Sequence, residues 1–294
     1  MKKLLAVVSL MFALCISVFS QEHTLDVEDN IMTFDSGIFD SSPFVRLDLG
    51  VAQPLYRSFQ GDALDQFFLV LGFERFKDHG ESLIKHTNYG LYGVGLLDNT
   101  ELLATQTDGA QQFNLGAIGF TTAKGYGWKL GESSRLILGI EDGIGLAQLG
   151  YNYDVPDNPL EEILTDLNSY EKLKATYGDG TRLTNYFRSY IKYQPTELVS
   201  LDVSYGRQLV YPRVLFWYWT LSGIVSGTAD GLANLFISRV MKSYEDAVPI
   251  VHFLLKTGLA FGFYQLQKDN MHWPINTAPA LITNNFNIGM TFHL

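Results

Sequence analysis

The chain reads as all-β: a transmembrane antiparallel up-and-down β-barrel of eight to ten strands, with ten preferred. Three observations predict it. Successive segments alternate apolar and polar residues with a period of two, which on a strand separates one apolar face from one polar face. Apolar residues make up 47 % of the 294 residues, yet only residues 214–238 are long and uncharged enough to suggest a spanning helix. A barrel resolves that mismatch, because only every second residue of each strand has to meet lipid. Finally, 27 glycines and 14 % aromatics suit strands that curve and that carry aromatic belts where a membrane meets water.

The first element is a targeting segment. Met1 to Ser20 carries Lys2 and Lys3, then an apolar run from Leu4 to Phe19 and a small residue at Ser20, the three parts of a cleavable signal peptide. Cys15 falls inside that run behind Leu14, where a lipoprotein signal carries a small residue. Cleavage after Ser20 leaves no cysteine, which excludes disulfides and thiolate chemistry. It also leaves 19 basic against 31 acidic residues, a net charge of −12. That balance excludes nucleic-acid binding, which depends on neutralising phosphates. Residues 21–43 are polar and acidic, an extended lead-in to a barrel domain over 44–294.

The strands follow in order. Val45, Leu47, Leu49 and Val51 oppose Arg46 and Asp48. Phe67, Leu69, Leu71 and Phe73 oppose Val70, Gly72 and Glu74, before a turn at Lys77 to Glu81. Residues 83–97 form a Gly-rich third strand and 98–112 a polar loop. A fourth strand covers Phe113 to Trp128, and Leu136, Leu138 and Ile140 open a fifth against Arg135, Ile137, Gly139 and Glu141. Asn158-Pro159, with Leu160, Ile163, Leu164, Leu167 and Tyr170 behind it, has the cap and spacing of an amphipathic loop helix over 158–174. Leu183 to Tyr193 and Val199 to Tyr205, joined by Gln194 to Glu197, form the clearest hairpin. Leu255 to Gln265 and Phe286 to Leu294 are the last two strands.

Val214 to Ser238 has one charge, Asp230, and places Gly223, Gly227 and Gly231 four apart, the spacing that lets helices pack closely. The expectation is a Gly-rich helix over 220–243 lying against or inside the barrel. The alternatives are a strand over 212–221 followed by a helix, and a spanning helix.

Phe286, Ile288, Met290, Phe292 and Leu294 alternate with Asn287, Gly289, Thr291 and His293 to the end of the sequence. Together with the signal peptide, the short turns and the earlier strands, this terminal segment resembles the bacterial outer-membrane β-barrel class over most of residues 43–294. The resemblance implies an outer-membrane location, with membrane lipids and the barrel-assembly machinery as partners. It also implies that Phe286, Ile288, Met290, Phe292 and Leu294 act as the assembly signal, although the class usually ends on an aromatic residue. Barrels of the class have both termini in the periplasm, so the strand count is even. The strands beginning at 44, 66, 83, 113, 134, 182, 198, 255 and 286 leave that count one short. Arg213–Leu221 or Leu146–Tyr153 is expected to supply the tenth.

Opposite the apolar faces stand Arg46, Asp48, Glu74, Arg135, Glu141, Arg182, Arg188, Lys192, Asp202 and Lys256. They line either a charged aqueous lumen or a network of ion pairs that fills a narrow barrel. No cofactor or metal is expected, because His252, His272 and His293 lack metal-site spacing. Gly93-Val-Gly95 and Gly143-Ile-Gly145 lack a nucleotide-loop context and are expected to mark sharp bends in strands. His79, Glu81 and Ser82 could be arranged as base, acid and nucleophile only at a turn, with nothing to fix their geometry. The functional expectation is an outer-membrane barrel with a passive or structural role, or a narrow solute pore. A lipid-acting acyl hydrolase and a surface or periplasmic binding module with a soluble β-core are the alternatives. Oligomeric state is not encoded in any feature of the sequence.

Overall fold

The computed structural model describes residues 41–56, 59–60, 63–79, 82–97, 111–153, 175–178, 180–213 and 216–294. The expected signal peptide, nearly all of the acidic lead-in and the loop helix over 158–174 lie outside these residues. The strands are β1 (Ser42–Tyr56), β2 (Phe59–Gln60), β3 (Leu64–His79), β4 (Leu83–Leu97), β5 (Gln111–Lys129), β6 (Arg135–Tyr153), β7 (Arg182–Gln194), β8 (Val199–Val210) and β9 (Leu281–His293). Two helices, α1 (Phe216–Ser243) and α2 (Val248–Gln267), stand between β8 and β9.

Every neighbouring pair is antiparallel, and β9 returns to β1 in a continuous register from Phe44↔His293 to Leu55↔Ile282. That last pairing closes the sheet and removes both edges. The two-residue β2 only lengthens the hairpin between β1 and β3. The barrel therefore has eight strands, β1 and β3 to β9. Because direction reverses at each step, the β3–β4, β5–β6 and β7–β8 turns share one rim with Ser42 and Leu294. The β1–β3, β4–β5, β6–β7 and β8–β9 connections leave from the opposite, loop rim.

The expected tenth strand does not exist, and one of the nine expected strands is lost. Leu146–Tyr153 simply continues β6, while Arg213–Leu221 runs into α1. Residues 255–265 lie within α2, so even parity is reached by removing a strand rather than adding one. The sequence Leu259-Ala-Phe261-Gly-Phe263 imitates a period of two by alternating large and small apolar residues. Its small residues are not polar, so a strand there would have no wet face. Pro249 in the first turn of α2 costs the helix nothing, since that N–H has no intrahelical partner.

Nor does the helical segment enter the barrel. Along α2, Val248 packs on Leu83, His252 meets the edge of Tyr126 at 5.0 Å, and Thr257 shares a 2.8 Å hydrogen bond with Ser189. Phe261 then stacks on Tyr205 at 5.4 Å and Tyr264 lies 6.1 Å from Phe187. By strand alternation all five barrel partners point outward. The hairpin thus lies on the outer wall, with its tip at the turn rim, where Ser82 and Trp128 bond Asp246.

Of the glycines expected at bends, Gly143 faces inward under the ring of Tyr186, as Gly139 does under that of Tyr190, and a Cβ at either would collide with the ring. Gly93 and Gly95 have open space around them. Gly143→Val should therefore lower stability by about 1–3 kcal/mol through overpacking, whereas Gly93→Val should be tolerated. The urea midpoint for loss of the heat-modifiable gel band distinguishes the two.

Candidate functional site

Inward positions of strands that are not neighbours in the sheet meet across the barrel. At its centre the Arg46 guanidinium donates to both Glu141 oxygens at 2.9 Å. These residues lie on β1 and β6, so their contact crosses the lumen. Arg188 on β7 donates to Glu141 and to Asp48, each at 2.6 Å, and reaches Asp202 at 3.5 Å. Arg46 also lies 3.2 Å from Asp48. Tyr186 and Thr121 donate to Glu141 at 2.6 and 2.7 Å. Glu141 is 0 % exposed, Arg46 1 % and Arg188 3 %.

A second layer lies toward the turn rim. Glu74 there contacts His86 at 3.2 Å, Lys192 at 3.5 Å and His293. His86 reaches the Tyr190 hydroxyl at 3.0 Å. Toward the loop rim aromatic and aliphatic side chains fill the interior beside neutral polar ones, Gln66, Thr184, Gln208 and Asn285, all buried. Phe68 stacks on Tyr92 at 5.5 Å, both meet Tyr186 edge-on, and Leu64, Leu96, Leu115 and Leu149 are buried beyond them. Tyr177 closes this end, donating to Val210 O at 3.1 Å and accepting from Leu281 N–H at 2.6 Å. Ionic, aromatic and aliphatic layers are thus stacked along one axis.

Arg46, Asp48, Glu74, Glu141, Arg188, Lys192 and Asp202 all lie in these two ionic layers. Arg135 sits near the turn rim, 4.5 Å above the Phe76 ring. Arg182, at the loop rim, donates to the carbonyls of Tyr177 and Pro212 and so ties a loop down. Lys256 belongs to no strand and faces no lumen. It lies on α2 and pairs with Asp230 of α1, because the segment that carries it is helical. Phe286, Ile288, Met290 and Phe292 are exposed on the outer wall, and the Leu294 N–H donates to Pro43 O at 2.9 Å.

The aromatic and aliphatic half of the interior went unread in the sequence. Its signal was parity, since Phe68 and Val70 share the register of Glu74 on β3, as do Tyr186 and Tyr190 that of Arg188 on β7. Ser82, imagined beside His79, donates to Asp246 at 3.0 Å. A different hydroxyl stands in a nucleophile's order. Ser200 Oγ lies 3.1 Å from His293 Nε2, and His293 Nδ1 contacts Glu74. Geometry of that kind activates serine where a carbonyl can reach it. Here Ser200 is 0 % exposed and Glu74 also serves His86 and Lys192, which makes the trio part of the packing.

A closed antiparallel barrel of even strand number, apolar outside and internally paired in charge, is the architecture of outer-membrane β-barrels. Among solved structures the chain is similar to neisserial surface protein A, at 10 % identity and TM-score 0.40, over 86 % of this chain and 97 % of that one. It is similar to the outer membrane enzyme PagL at 10 % identity and TM-score 0.36, over 85 % and 99 %. Ail, the attachment invasion locus protein of Yersinia pestis, follows at 6 % identity and TM-score 0.34, over 87 % and 99 %. No protein-family model and no curated protein sequence matches the chain.

Two outcomes follow. Glu141→Leu removes the carboxylate that two buried guanidiniums share, leaving Asp48 between them, and should cost roughly 3–5 kcal/mol, read from urea unfolding in detergent or vesicles. A fluorophosphonate probe should leave the folded protein unlabelled; labelling that disappears in Ser200→Ala would make the trio a catalytic site.

Proposed function

We propose that the protein is an integral outer-membrane β-barrel, directed there by its N-terminal signal, whose lumen is sealed and whose role is structural rather than that of a solute pore. The observation that carries this reading is the Arg46–Glu141–Arg188 bridge across the middle of the barrel. An eight-stranded interior is just wide enough to be filled by its own side chains. Opening it would require two arginines to leave carboxylates they contact at 2.6–2.9 Å. The leucines and aromatic rings toward the loop rim add a second constriction, because they fill the section of the lumen beyond the ion pairs.

The outer wall supports membrane integration over a soluble binding module. Leu71, Leu91, Ile118, Ile191 and Ile288 are each about half exposed or more, on five different strands, a larger apolar surface than a soluble monomer sustains. Acyl chains are the partner that surface fits, and the barrel-assembly machinery is the proposed reader of Phe286, Ile288, Met290, Phe292 and Leu294.

The test is electrical. Purified protein that shows the folded, heat-modifiable band should insert into a planar bilayer without conductance steps. Discrete steps abolished by boiling, with ion selectivity altered by Arg188→Ala, would overturn the sealed barrel in favour of a pore.

A further inference from the structure

We infer that the α1–α2 hairpin is itself embedded in the bilayer, lying between the barrel wall and the acyl chains. The inference rests on the membrane-barrel reading above and goes beyond it, because helices outside a barrel are not needed to close it.

The first ground is where α2 lies. Its contacts run from Val248 against Leu83 near the turn rim to Tyr264 against Phe187 on the loop-rim half of β7. Those 16 helical steps rise about 24 Å, close to the roughly 25 Å height of a barrel's apolar band. A helix fixed along that band is at membrane depth wherever the barrel is. The backbone of a helix satisfies its own hydrogen bonds, which makes it one of the two structures lipid tolerates.

A second ground is the surface beneath it. Outward positions on β1, β3, β8 and β9 carry residues such as Leu47, Leu71, Val203 and Ile288, all exposed. On β4 to β7 the same face carries apolar residues such as Leu91, Ile118 and Ile191 but also, by strand alternation, Lys85, Lys124, Asp142 and Ser189. The girdle thus includes a polar patch in this one sector, and α2 is docked on that sector. Thr257 supplies the hydrogen bond for Ser189, and His252 lies within electrostatic reach of Lys124 and Lys85. A polar hydroxyl and charges that lipid would reject have protein beside them instead.

Third, the hairpin's own composition suits acyl chains on its outer side. The most apolar 18-residue window of Glu245–Gln267 has a mean hydropathy of 1.4, and only 22 % of it is buried. Leu232 and Leu254 are each 64 % exposed. Asp230 of α1 and Lys256 of α2 neutralise one another inside the hairpin. Apolar residues around most of a helix's circumference call for an apolar surrounding, and on this wall that surrounding is continuous with the lipid of the girdle. Aromatic residues stand at both ends: Trp217 and Tyr218 where the chain leaves the loop rim, Tyr244 and Trp128 at the turn rim. That is the placement of interfacial anchors.

Single cysteines at Leu232, Leu254, Leu71, Ile288 and Glu132, in a Cys15→Ser background, would be spin-labelled in the full protein. The variants would be reconstituted into phosphatidylethanolamine–phosphatidylglycerol vesicles, and collision with oxygen and with a water-soluble nickel chelate measured. Labels at Leu232 and Leu254 should favour oxygen over nickel as those at Leu71 and Ile288 do, with Glu132 showing the reverse. Nickel-accessible labels at Leu232 and Leu254 beside shielded ones at Leu71 and Ile288 would overturn the embedded hairpin and leave the membrane barrel standing. Labels at the hairpin sites closed to both reagents and broadened by a neighbouring label would place a second copy there, also against the inference. Nickel access at Leu71 and Ile288 would overturn the membrane reading and the hairpin with it.

Discussion

One carboxylate organises the interior. Glu141 on β6 accepts from Arg46 of β1 and Arg188 of β7, and from Tyr186 and Thr121 besides. These residues come from strands spread around the cylinder, so the cluster exists only when β1 and β9 have closed it. In return, the cluster holds opposite walls at a fixed separation. Charges buried in this way contribute specificity more than net stability, because desolvation consumes most of their attraction. Any register slip of one residue would turn Arg46, Asp48 and Glu141 toward the outside and carry Leu47 and Leu49 in. The ion pairs therefore select the register that the apolar wall also requires.

Above that layer the packing changes character without changing parity. Gly139 and Gly143 give up their side chains so that Tyr190 and Tyr186 can lie flat against β6, and Tyr186 joins the two regimes, donating to Glu141 while its ring meets Phe68 and Tyr92. An ionic half and an apolar half thus share one tyrosine. The arrangement resembles a domain core in its upper part and a salt-bridge lattice in its lower part.

How much of this was legible in the sequence follows from which signals are local. Arg46 and Asp48 were readable as inward because each sits between apolar neighbours, and Glu141 and Arg188 because Ile140 and Phe187 precede them; alternation needs only adjacent residues. That Glu141 meets Arg46 was not readable, since the pairing depends on barrel circumference. Phe68, Tyr92 and Leu115 were passed over because an apolar residue on a polar face carries no sign of its own. Residues 255–265 were misread as a strand because alternating bulk in Leu259 to Phe263 imitates alternating polarity. Ser189 held a legible warning: a serine on a lipid-facing register, between Phe187 and Ile191, implied that something other than lipid covers it.

The hairpin's place in the chain bears on the order of assembly. It enters after β8 and must finish before β9 begins, while the surface it docks on, β4 to β8, is already complete by then. Helix docking can therefore precede closure, and the pairing of β1 with β9, the most distant strand pairing in the chain, carries the largest loop-closure entropy. With α1 and α2 already seated on the wall, the connection between β8 and β9 behaves as a short tether, and the entropy of bringing the two ends of the sheet together is correspondingly smaller.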